Sequence, residues 1–178
     1  MPTKFTFDAE KALEALVYIV SKSKADLYGS LKILYRADKM HLHRYGRFVA
    51  GDFYKRLEHG PVPQGAYDIL HFVRGDHSSS PVPEARQALR FVDKTHFQAL
   101  RPADTDALSD TDRECLDEAI AVGSRKSFGQ HKRETHDAAY EATGPNQEMS
   151  VETIASMARD GRETLLQYLA DPYPDKGS

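Results

Sequence analysis

The chain has 178 residues, enough for one domain with its own core and short for two. A formal net charge of −3 argues against binding nucleic acid or anionic membrane through overall charge, and no apolar run approaches the ~20 residues that span a bilayer. The single cysteine, Cys115, excludes an internal disulfide. The opening MPTKFTFDAEK lacks the apolar stretch of a secretory signal, so a cytoplasmic protein is expected.

In chain order, Asp8 is placed to cap a first helix over residues 9–22. Leu13, Leu16, Val17 and Val20 form its apolar stripe. Ser23-Lys-Ala-Asp26 reads as the capping pattern of a second helix that ends at Tyr45-Gly46, where glycine suits the residue after the last turn. Residues 47–59 follow neither the helical nor the strand period and read as irregular or extended. Gly60-Pro61-Val62-Pro63 punctuates the chain, and a third helix starts near Pro63 and turns Tyr67, Leu70 and Val73 inward. Residues 77–84 are loop-forming. Residues 88–92 and 96–100 flank a polar turn and read as a hairpin. Leu108-Ser109 opens a fourth helix carrying Cys115, Leu116, Ala119 and Ile120. A fifth spans residues 127–140, and a last helical region runs from Ser150 with Gly161 as a weak point, before a frayed tail. The expected fold is mainly α (α+β): a single helical domain, residues 1–178, of about six helices with one small β-hairpin.

The candidate chemistry is thin. His41 and His43 are two apart on a helix and point to nearly opposite faces, so they make a poor metal pair, and His131 and His136 are five apart. No metal and no cofactor is expected. Cys115 lies on the apolar side of its helix and reads as a buried, inert thiol. Asp38 is more telling, because it falls inside the apolar stripe made by Leu31, Leu34, Tyr35 and Leu42. A buried carboxylate needs a partner. His41 at i+3 is one candidate, and an N–H or hydroxyl from residues 51–59 is another. The favoured reading is a polar clasp, and the rival is a catalytic acid. On the same helix Lys32, Arg36, Lys39 and His43 line one stripe. It reads as a solvated face or as a docking strip for an acidic partner. Arg125, Lys126, Lys132 and Arg133 form a second basic cluster. Without a base-stacking module, nucleic acid remains a disfavoured partner.

The stretch LKILYRADKMHLHRYGRFVAGDFYKRLEHGPVP resembles the signature of the Panacea domain, the SocA-like or phage-associated GepA-like antitoxin family. The matching residues are Lys32, Leu34, Tyr35, Ala37, Asp38, His41, Leu42, Tyr45 and Gly46 on the helix. Gly51, Asp52 and Tyr54 follow in the irregular segment, then His59, Gly60, Pro61, Val62 and Pro63 at the turn. The Leu108-Ser109 helix start and Thr135-His136 also fit, although Tyr140 stands near where the family often has tryptophan. The resemblance covers about residues 10–145 and leaves 146–178 as a C-terminal helical extension. It implies a mainly structural role for the signature residues. It also implies a protein that neutralises a cognate toxin by direct binding, with a protease as further partner where the family member acts as an adaptor. No catalytic residue set comes with it. Two rivals are a nucleic-acid-binding regulator of its operon, acting through Lys32, Arg36 and Lys39, and a hydrolase using Asp38, His41, Asp52 or His59.

Overall fold

The computed structural model describes residues 5–173. Its helices are α1 (Ala9–Lys22), α2 (Leu27–Tyr45), α3 (Gln64–Arg74), α4 (Ala85–Ala88), α5 (Asp110–Gly123), α6 (Phe128–Thr135), α7 (Ala138–Glu141), α8 (Val151–Ala155) and α9 (Arg162–Ala170). Its strands are β1 (Tyr54–Leu57), β2 (Gly60–Pro63), β3 (Leu89–Phe91), β4 (Phe97–Ala99) and β5 (Glu148–Met149). The fold is mainly α with a small β component, as the sequence implies.

Asp8 caps α1 by accepting the Lys11 N–H at 3.0 Å. Asp26, not Ser23, caps α2 by accepting the Gly29 N–H. Ser23 instead closes α1, its hydroxyl donating to the Ile19 carbonyl at 2.8 Å. Gly46 ends α2 with φ of 82°, a left-handed conformation that costs glycine little.

Helix α2 runs between two apolar clusters. On one side Leu31, Leu34 and Ala37 meet Leu16 of α1, Leu70 of α3 and Leu116 of α5. On the other, Tyr35 and Leu42 meet Phe48, Tyr54, Tyr140 and Ile154. A helix covered on two sides has little solvent-facing arc left, so its polar residues are drawn inside as well. On α3 the fully buried residues are Ala66, Ile69, Leu70 and Phe72, while Tyr67 and Val73 are only half-buried.

The sheet order is β2-β1-β5, all antiparallel. The segment expected to be irregular or extended holds a strand over Tyr54–Leu57, and Gly60–Pro63 is its partner rather than mere punctuation. Leu57 pairs with Gly60 across a two-residue turn, Glu58-His59, that lacks the Asn-Gly or Asp-Gly signature of such turns. Pro61 and Pro63 are tolerated because β2 lies at the edge of the sheet. The hairpin expected around residues 93–95 forms as β3–β4.

Two expected helices are each divided. The 127–140 helix breaks at His136, and Asp137 starts α7 by accepting the Tyr140 N–H at 3.0 Å. The last helical region is split over residues 156–161, and Gly161, with φ of 66°, is the residue from which α9 starts. These breaks, with the short α4, bring the described residues to nine helices instead of about six. The expectation of a frayed tail falls partly on residues 174–178, outside the described residues.

Candidate functional site

The signature residues converge on the stretch that follows α2. Asp38 is 1% exposed. One carboxylate oxygen accepts the Val49 N–H at 2.7 Å, and the other accepts the Tyr54 hydroxyl at 2.6 Å. Its partner is thus not His41. The Tyr54 ring packs edge-on against Tyr35 and Phe48, with centroids 5.1 and 5.6 Å away. Burial pushes the Asp38 carboxyl up to about 7, even though both hydrogen bonds favour its charged form.

His41 turns to other groups. Its Nδ1 lies 2.9 Å from the Arg47 carbonyl and its Nε2 lies 2.9 Å from the Thr111 hydroxyl. A carbonyl only accepts, so Nδ1 carries a proton, while Nε2 faces both the Thr111 hydroxyl and, at 3.3 Å, an Asp112 carboxylate oxygen. Burial holds the imidazole below its usual range. Next to it, Asp112 is fully buried and receives Lys11 at 2.7 Å, Arg47 at 2.9 Å and the Ser109 N–H at 2.9 Å. Burial works to raise this carboxyl, but the donors outweigh it and hold it below the usual carboxylate range.

Asp52, 3% exposed, reaches forward to the start of α3. It accepts the Gly65 N–H at 2.8 Å and the Ala66 N–H at 2.9 Å. Pro63, at the helix cap, has no side-chain group to do this, so a residue far back in the chain supplies the cap. Burial raises the Asp52 carboxyl against these donors. Gly51 has φ of 66°, and a Cβ there would lie 2.3 Å from the Thr6 carbonyl oxygen. The site thus holds the incoming N-terminal segment as well.

The basic stripe of α2 is not a solvated strip. Lys32 is fully buried, with its ammonium 2.6 Å from the Pro61 carbonyl and 4.9 Å from the Tyr28 ring centre. Burial lowers its amine to about 7. Arg36 pairs with Glu134 at 2.6 Å, and Lys39 with Asp137 at 3.0 Å. The His43 Nε2 donates to the Ile154 carbonyl at 2.9 Å. Helices α6, α7 and α8 therefore lie over the stripe, and Lys32 is out of a partner's reach. Helical spacing placed these four residues together correctly, but spacing cannot say which neighbour covers a face.

Tyr45 is partly exposed and donates to Glu114 at 2.5 Å. His59 is exposed in the β1–β2 turn, and its carbonyl accepts the Tyr28 hydroxyl. Three participants carried no usable sequence signal: Arg47, Asp137 and the exposed Phe128, whose ring sits 4.4 Å from Tyr28 and 5.2 Å from His59 between centroids. Among the described residues no group of three or more His, Cys, Asp or Glu is placed to hold a metal, and no helix is long and apolar enough to cross a membrane.

Backbone groups recur among the partners of the signature residues: the Val49 N–H on Asp38, the Arg47 carbonyl on His41, and the Gly65 and Ala66 N–H groups on Asp52. Asp38, His41 and Asp52 each spend their polar atoms on main-chain or neighbouring side-chain partners. Comparison with curated proteins and with solved structures returned no match. A protein-family model, described as antitoxin SocA-like, Panacea domain, matches residues 31–141. That range is narrower at both ends than the signature reading suggested, yet it spans more than half of the chain. The residues that build the clasp fall within it, and the chain belongs to the antitoxin SocA-like, Panacea domain family.

Proposed function

We propose that this chain is an antitoxin that neutralises a cognate protein toxin by binding it directly and masking its working surface. The observation that carries the reading is the family match over residues 31–141. The fate of the signature supports a binding protein over an enzyme. Asp38 and Asp52 are satisfied inside the fold and leave little to offer a substrate. The reading needs no cofactor and no metal. It puts the protein in the cytoplasm beside its toxin. In the adaptor form of the reading, a protease is the second partner and degrades the toxin that this chain presents.

The test is co-expression with the product of the adjacent gene. That product alone should arrest growth, this chain should relieve the arrest, and the two purified proteins should co-elute. A harmless neighbour, or an arrest this chain leaves unchanged, ends the reading.

A further inference from the structure

Helix α6 presents a face that the fold leaves open. Phe128, Lys132 and His136 follow at intervals of four and lie along one side. Phe128 is 52% exposed, yet its ring is held between Tyr28 and His59. A large ring exposed but fixed in place has already lost the side-chain entropy that binding would otherwise cost. Aromatic anchors of this kind dominate the centres of protein interfaces.

The same face continues into a groove of about 420 Å³ between α6 and the β1–β2 turn. Lys132, His136, Arg56 and Tyr140 line it, together with Glu58 and Glu141. The Nε2 of His136 is buried there without a hydrogen-bond partner. Among the described residues, Arg125, Lys132 and Arg133 have no carboxylate within ion-pair distance, whereas Lys126 and Arg36 share Glu134. This patch is therefore positive on a chain whose net charge is −3. The two glutamates keep the groove itself near balance, so the excess charge sits on α6 and the turn before it.

We infer that this α6 face docks an acidic protein segment, one that sets an apolar side chain against Phe128 and a carboxylate against Lys132, with the positive charge of Arg125 and Arg133 nearby in the chain steering its approach. The inference rests on the antitoxin reading, in which the segment belongs to the toxin. A nucleic-acid strand fits less well, because Glu58 and Glu141 would face its phosphates and the face offers one exposed ring rather than a row.

Two measurements test it. In the first, an isotope-labelled full chain is titrated with a synthetic peptide of glutamates around one leucine, and amide shifts are mapped. Salt-sensitive shifts confined to Phe128, Lys132, His136 and His59 support the inference. No shifts at millimolar peptide, shifts elsewhere, or stronger shifts at the same residues with a single-stranded oligonucleotide overturn it. In the second, Phe128→Ala and Lys132→Glu are combined, the fold is checked by unchanged shifts away from α6, and affinity for the adjacent-gene toxin is measured. A loss of about tenfold or more is expected. Wild-type affinity overturns the surface and leaves the antitoxin reading standing. Peptide binding at this face beside a harmless neighbour does the reverse.

Discussion

Asp38 and Tyr54 are joined inside the protein by a hydrogen bond of 2.6 Å between residues 16 apart in sequence. With the Val49 N–H on the other carboxylate oxygen, the bond closes the segment after α2 back onto the helix that produced it. Tyr54→Phe keeps the ring packing and removes one donor from a buried carboxylate, at a cost of about 1–3 kcal/mol. Asp38→Ala should cost more, because it strands two donors and leaves a small void. Urea unfolding of the two variants checks this. A Tyr54→Phe protein as stable as wild type would show that the bond contributes nothing net.

Asp38 and Lys32 give stability two opposed pH responses. The Asp38 carboxyl is raised to about 7 by burial, so between about 4 and 7 the folded chain binds the proton more readily than the unfolded chain. Through that window Asp38 makes the protein less stable as pH rises. The Lys32 amine is lowered to about 7, so between about 7 and 10 the unfolded chain is the better proton binder. Through that window Lys32 makes the protein more stable as pH rises. Each slope is bounded by about 1.4 kcal/mol per pH unit, the value for one proton. Asp38→Asn should flatten the acid-side slope and Lys32→Met the alkaline one. The check is urea midpoints from pH 5 to 9, and a Lys32→Met profile parallel to wild type above pH 7 would refute the assignment.

Helix starts were legible where a side chain caps its own helix, as at Asp8 and Ser109. At α3 the start near Pro63 was legible but its cap was not, because Asp52 supplies it from earlier in the chain. The burial of Asp38 was readable from its place in an apolar stripe. Its partners were only partly readable, since Tyr54 lay within the expected segment and Val49 just outside it. The basic stripe misled because a lone helix carries no sign of what packs over it. Strand β1 was legible only as irregular or extended chain, because Tyr54 and Leu57 both face apolar neighbours while Lys55 and Arg56 are half-buried, which blurs the two-residue alternation.

Gly60 is irreplaceable on two counts. Its φ of 126° lies where side-chain-bearing residues are strained, and a Cβ would fall 2.9 Å from both the Lys32 ammonium nitrogen and the Thr135 hydroxyl oxygen. The β1–β2 hairpin thus packs its backbone against the buried end of Lys32. Gly60→Ala should destabilise the protein by roughly 1–3 kcal/mol, the scale for a forced strained conformation. Gly75→Ala is the control, since it shares a positive φ of 101° but has open space around it. Thermal unfolding should place Gly60→Ala below Gly75→Ala, and equal midpoints would show that the crowding against Lys32 costs nothing.

Cys115 sits on the buried face of α5 beside Leu116 and Ala119, with no exposed surface. Burial pushes its thiol up to about 11, against the pull of Arg44. The reactive species is the thiolate, so at pH 8 only about one thiol in a thousand is ready to react. A disulfide reagent should therefore modify the native chain no faster than the chain opens, and the modification rate should rise with urea in step with unfolding. Fast labelling of the folded protein at pH 8 would show that the thiol is accessible. Cys115→Ser should cost about 1–3 kcal/mol, because it places a hydroxyl among apolar side chains that offer it no partner. Cys115→Ala should cost less, since it removes volume without burying a polar group.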